Sequence, residues 1–110
     1  MPHYMLMFVG DETRREGSKE EMDRGMAAVG RWWTENQNVI KGGNRLDVSR
    51  TATTVRRVNG QMKVIDGPFI ESKEQVGGYA LVEVPDLDAA IALAKSWPMG
   101  DVEVRPTVER

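Results

Sequence analysis

Hydrophobic and polar positions divide the chain into six alternating segments. His3-Tyr4-Met5-Leu6-Met7-Phe8-Val9 is almost continuously apolar and closes on Gly10-Asp11, the pattern of a central strand covered on both faces. Asp11 to Gly17 is polar and predicts a loop. Ser18-Lys19-Glu20-Glu21 then has the S-x-x-E form in which serine and glutamate satisfy the free N–H groups of a helix start. Met22, Met26, Val29 and Trp33 follow at spacings of three and four and predict one apolar stripe, with Trp32 beside it as helix packing or a pocket wall. This helix fades near Asn36-Gln37-Asn38, and Lys41-Gly42-Gly43-Asn44 predicts a flexible connection.

Ala52 to Ile65 predicts two strands joined by Asn59-Gly60, because a type I′ hairpin turn needs positive φ at both central residues. That register sets Val55 opposite Val64 and Arg57 opposite Met62 on one face. Val58 opposite Gln61 and Arg56 opposite Lys63 share the other, where the like charges call for a carboxylate such as Glu71 or Glu83. Gly78 to Val84 predicts another apolar strand, and Asp86 an N-cap. Leu87, Ala90, Ile91, Ala94 and Trp97 form the stripe of a second helix ended by Pro98. Val102, Val104 and Val108 alternate with Asp101, Glu103, Arg105 and Thr107 in a half-exposed last strand. The order of strand, helix, hairpin, strand, helix, strand is an α+β fold. Two helices cover one face of such a sheet, so the apolar strands predict a homodimer packed sheet against sheet.

Composition narrows the function classes. At 110 residues, with 40% hydrophobic and 29% charged positions, the expectation is one domain spanning residues 1–110 with any site at an edge or interface. Fifteen basic and seventeen acidic side chains give a net charge of -2, so no global field draws the protein to nucleic acid or an anionic membrane. The hairpin cations Arg56, Arg57 and Lys63, with Arg50, lack the paired exposed aromatics of RNA-binding sheets. There is no cysteine, which removes thiolate chemistry and sulfur-ligated zinc. No apolar stretch has membrane-spanning length and no signal-peptide pattern precedes Tyr4. The expectation is a soluble cytoplasmic protein without a metal or other cofactor, because phosphate-cradling glycine motifs are absent too.

Candidate chemistry gathers in Asp66-Gly67-Pro68-Phe69-Ile70-Glu71-Ser72-Lys73-Glu74-Gln75-Val76-Gly77-Gly78-Tyr79. Asp66 ends a strand, either as a turn former beside a core-anchored Phe69 or as a carboxylate raised by apolar neighbours for acid/base work. Glu71, Lys73 and Glu74 are a proton-transfer set if enclosed and a solvated loop if not. Tyr79, after two glycines, presents its hydroxyl to a ligand or fills an interface. His3 is the single histidine, structural or a further acid/base candidate.

This segment, with Thr51-Ala52-Thr53-Thr54-Val55-Arg56 and Val102-Glu103-Val104-Arg105-Pro106, resembles the DGPF branch of the YCII-related proteins over nearly the whole chain. The resemblance implies a ferredoxin-like fold that dimerises through its sheets into an α+β barrel. It also implies a regulatory or small-molecule role beside extracytoplasmic-function sigma factors, with isomerases, dehalogenating lyases and oxygenases of small cyclic compounds among more distant proteins. YCII-type proteins carry a suspected His–Asp pair whose histidine lies in the first helix, and Ser18 to Asn36 contains none. Acid/base work would fall to Asp66, Glu71, Glu74 or His3, with Phe69, Lys73, Tyr79, Trp32 and Arg105 binding or shaping a ligand. Two functions follow: a small-molecule-binding or regulatory module, or a cofactor-free isomerase or lyase with Asp66 as proton carrier.

Overall fold

The computed structural model describes residues 1–12 and 18–109; of the loop expected from Asp11 to Gly17, residues 13–17 lie outside that range. The strands are β1 (His3–Asp11), β2 (Ile40–Arg45), β3 (Thr53–Val58), β4 (Gln61–Asp66), β5 (Glu74–Glu83) and β6 (Asp101–Pro106). The helices are α1 (Lys19–Glu35) and α2 (Leu87–Lys95), with a 3-10 turn at Ser49–Thr51. A four-stranded antiparallel sheet has the order β2-β5-β1-β6, and β3 and β4 form a separate hairpin.

Local chemistry sets the helix starts as expected. Ser18 Oγ accepts from the Glu21 N–H at 3.2 Å and Asp86 Oδ1 from the Ala89 N–H at 2.9 Å, each satisfying a donor that the helix leaves free. Asn59 at φ 50° and Gly60 at φ 79° make the two-residue turn. The hairpin register is the one the turn dictates, Val55 with Val64 and Arg56 with Lys63. Instead of a carboxylate, the Arg56 guanidinium has the Phe69 ring 4.3 Å away; Glu83 lies on β5 facing His3.

Several expectations are corrected. Lys41-Gly42-Gly43-Asn44 is an edge strand, not a loop, paired with Leu81 to Tyr79 of β5. Its glycines allow the close approach, for a Cβ on Gly43 would sit 2.3 Å from the Tyr79 carbonyl oxygen. The hairpin does not extend the main sheet. β6 stops at Pro106, so Val108 falls beyond the alternation and is 85% exposed. In α1 the buried residue is Trp32, while Met22 and Met26 are exposed.

The core sits between the helices and one face of the sheet. Tyr4, Leu6 and Phe8 of β1 meet Ala80, Val82 and Val84, with Trp32, Ala90 and Leu93 from the helices. Alternation on β1 and β5 puts every second side chain here. Phe8 stacks on Trp97 with ring centroids 3.7 Å apart, and Trp32 stands edge-on to both. Trp32 Nε1–H donates to Ser96 Oγ at 2.9 Å, which satisfies the one polar atom of this aromatic cluster's central member. Ser96→Ala strands that donor, and a loss of about 1–3 kcal/mol is expected, read as a lower urea midpoint at an unchanged slope.

The opposite face carries Met5, Met7, Val9, Tyr79 and Leu81, all half-buried. No described element of the chain packs over it. The face is apolar along its middle.

Candidate functional site

Of two surface cavities among the described residues, the larger lies at the base of the hairpin. Its construction begins where β2 leaves the sheet. The Leu46 N–H donates to the Gly77 carbonyl at 2.9 Å, holding the departing chain against β5. The next residues turn sharply: Asp47 Oδ1 accepts from the Val48 N–H at 2.7 Å, and Thr51 Oγ1 donates to the Val48 carbonyl at 2.8 Å. Glu12, just past β1, ties this turn down by accepting from the Ser49 N–H at 2.8 Å and from the Ser49 hydroxyl.

The Asp66-Gly67-Pro68-Phe69 turn closes the other side. Gly67 has φ 106°, a conformation that favours glycine; its N–H donates to the Ala52 carbonyl at 2.8 Å and its carbonyl accepts from Thr54 Oγ1 at 2.7 Å. Gln75 folds the following loop by donating from Nε2 to the Ile70 and Ser72 carbonyls, both at 3.0 Å. The space between them is a half-open cleft of about 270 Å³. Leu46, Val48, Ala52, Pro68 and Val76 give it apolar walls, and Asp47, Ser49, Thr51 and Gln75 supply polar groups. Among the described residues no lysine, arginine or histidine lines it, and the Asp47 carboxylate disfavours an anion beside it. It suits a small neutral molecule with an apolar body and hydroxyl groups.

The residues singled out by sequence do not converge here. Asp66 ends β4 on the Val55 and Val64 face and is exposed. Phe69 is not a core anchor but 63% exposed. Glu71, Lys73 and Glu74 are exposed, with the Lys73 carbonyl accepting from the Glu12 N–H at 3.2 Å. Arg105 pairs with Glu103 on the open sheet face, where Tyr79 also lies. Trp32 is on the helix side and walls the second cavity, about 200 Å³, with Arg31, Glu35, Asn36 and Ser96.

His3 has carboxylates at both ring nitrogens, Glu83 Oε2 at 2.9 Å from Nε2 and Glu109 Oε1 at 3.4 Å from Nδ1. Glu109 also accepts from the His3 N–H at 3.0 Å, and that backbone bond holds its carboxyl below the usual carboxylate range. With both nitrogens engaged, the imidazole acts as a brace between the chain end and β1. Glu83 and Glu109 were not legible as its partners, since they lie 80 or more positions away.

Leu46, Asp47, Val48 and Ser49 carry no sequence signal for a site. Pro68 and Gln75 fall inside the segment singled out by sequence, so the signal lay in the motif's turn and amide rather than in its charges. Among the described residues no cluster of histidine, aspartate and glutamate could hold a metal ion. No helix is long and apolar enough to cross a membrane.

Comparison with known proteins agrees with the fold. The profile of the YCII-related domain matches residues 4–109. An uncharacterised protein of Rhizobium meliloti is 35% identical over 112 residues, covering 94% of this chain and 90% of that protein. The 5-chloro-2-hydroxyhydroquinone dehydrochlorinase of Burkholderia phenoliruptrix, solved in complex with 2,5-dihydroxybenzoquinone, superposes with a TM-score of 0.52. It is 13% identical, and the match covers 98% of this chain and 95% of the other. The shared architecture is the ferredoxin-like α+β fold.

Proposed function

This chain belongs to the YCII-related domain family, and from that premise we propose that it is a small-molecule-binding module whose site is the cavity at the base of the hairpin. The observation that carries this reading is the way the Asp66 to Tyr79 segment is used. Its Pro68, Gln75 and Val76 wall the cavity, while its charged side chains stay in solvent. The ligand class is a small, uncharged, hydroxylated ring, in line with the cavity's mixed lining and with the small cyclic ligand bound by the dehydrochlorinase of like fold.

The module works as a homodimer packed through the open sheet face, in the cytoplasm. The likeness of its DGPF segment to sigma-factor-associated proteins supports a regulatory output. An acid/base enzyme with Asp66 as proton carrier draws less support, because Asp66 is exposed and outside both cavities.

Hydroquinone and catechol are expected to raise the melting temperature by binding the folded state, and the acidic 2,5-dihydroxybenzoquinone to do so less. A larger shift with the acid than with the neutral rings would overturn the assignment.

A further inference from the structure

The hairpin formed by β3 and β4 pairs with no strand of the main sheet, and its two faces differ in chemistry. Alternation puts Val55 and Val64 on one face and Arg56 and Lys63, directly opposite each other, on the other. Residues so paired have Cβ atoms about 4.5–5.5 Å apart, and like charges at that distance are unfavourable. A carboxylate would relieve the pair. Among the described residues, neither Arg56 nor Lys63 forms an ion pair with one. The two strands together carry Arg56, Arg57 and Lys63 against the single carboxylate of Asp66, so the chain's net charge of -2 conceals a positive arm.

Phe69 completes this face. Thr54 Oγ1, bonded to the Gly67 carbonyl at 2.7 Å, fastens the turn that brings Phe69 back beside the arm. The Arg56 guanidinium lies 4.3 Å from the ring centre, yet the ring is 63% exposed, which leaves room for a second flat group on the side away from Arg56. Stacking fixes the guanidinium plane and leaves its N–H donors free for an acceptor. The face therefore offers a forked donor, an ammonium group and an open aromatic surface within a few ångströms. An acidic side chain would use the two cations alone. A ligand in which anions alternate with flat rings uses all three, and an unpaired polynucleotide strand has that form. A duplex does not, because its base faces are already stacked on one another.

We propose that the Arg56–Lys63–Phe69 face of the hairpin binds single-stranded nucleic acid, with backbone phosphates held by Arg56 and Lys63 and an unstacked base laid on Phe69. Sequence argued against nucleic acid partly because the hairpin cations had no exposed aromatic beside them; Phe69, expected in the core, supplies one. None of the three residues lines the cleft at the hairpin base, so this site stands independently of the small-molecule assignment.

Fluorescence anisotropy with a labelled thymidine oligonucleotide, titrated over a salt series that begins at low ionic strength, tests this. Two phosphate contacts on a single strand predict that log affinity falls with log salt at a slope of about -1.4, and Lys63→Gln should reduce it to about -0.7. Phe69→Ala should weaken binding about tenfold with little change of slope, and Phe69→Tyr should restore it. Lys63 and Phe69 are exposed, so the variants keep the fold, which circular dichroism checks. No binding at low salt would overturn the proposal, as would a salt slope that Lys63→Gln leaves unchanged. Equal affinity for a duplex of the same sequence, or displacement of the strand by polyglutamate of matched charge, would show a general anion surface and reject the role given to Phe69.

Discussion

Gly43→Ala is expected to detach β2 from the sheet and destroy the cavity wall that depends on it. Gly43 sits at φ 140°, and a Cβ there would lie 2.3 Å from the Tyr79 carbonyl oxygen, 2.8 Å from Ala80 Cα and 2.9 Å from the Trp33 ring. Two of these atoms are backbone and cannot swing aside. The sparsely populated backbone costs roughly 1–3 kcal/mol for a residue other than glycine, and overpacking costs roughly 1–3 kcal/mol more. Together these are a large fraction of a small domain's stability. The loss should show as a lower urea midpoint measured at fixed protein concentration, with the amides of Ile40 to Arg45 exchanging early. A variant as stable as wild type would mean that β2 is not held at this approach.

Leu6→Ala should destabilise the protein by about 2–5 kcal/mol. Leu6 is completely buried at the centre of β1, between Ala80 on β5 and Val104 on β6. Its strand partner Ala80 is small, and so is Ala90 in the same core cluster, so little side chain is at hand to fill the space a leucine leaves. The two variants separate local from global loss. Leu6→Ala lowers the stability of the whole sheet, whereas Gly43→Ala acts first at the β2 edge and removes ligand binding through Leu46.

Interactions within a few residues were the legible part of the fold. Ser18 and Asp86 cap helices through their own next turn, and Asn59-Gly60 sets a register that no distant contact alters. Strand β2 was hidden because Lys41-Gly42-Gly43-Asn44 has the composition of a loop; it is a strand owing to β5 beside it and Trp33 above it. The phase of α1 was misjudged for a similar reason. Met22 to Trp33 forms the better stripe by spacing, but Phe8 and Trp97 fix which tryptophan is buried, and they come from β1 and the segment after α2.

The site follows the same division. Gly67 and Pro68 could be recognised as a turn, and that turn does shape the cavity. Val48, Ser49 and Thr51 carry no motif, and they become cavity walls because Glu12 pulls their turn against the end of β1. The prominent charges at Glu71, Lys73 and Glu74 drew attention by density, although a run of charged residues in a loop is commonly solvated.

Backbone amide chemical-shift mapping with hydroquinone shows most directly where a ligand binds. Shifts are predicted at Leu46, Val48, Ser49, Thr51, Gln75 and Val76, and they should vanish in Val48→Arg, which places a long charged side chain in the cavity. Val48 is 42% exposed, so that variant retains the fold. Shifts centred on Trp32 and Arg31 instead, or unchanged in Val48→Arg, would contradict the assignment of the hairpin-base cavity as the site.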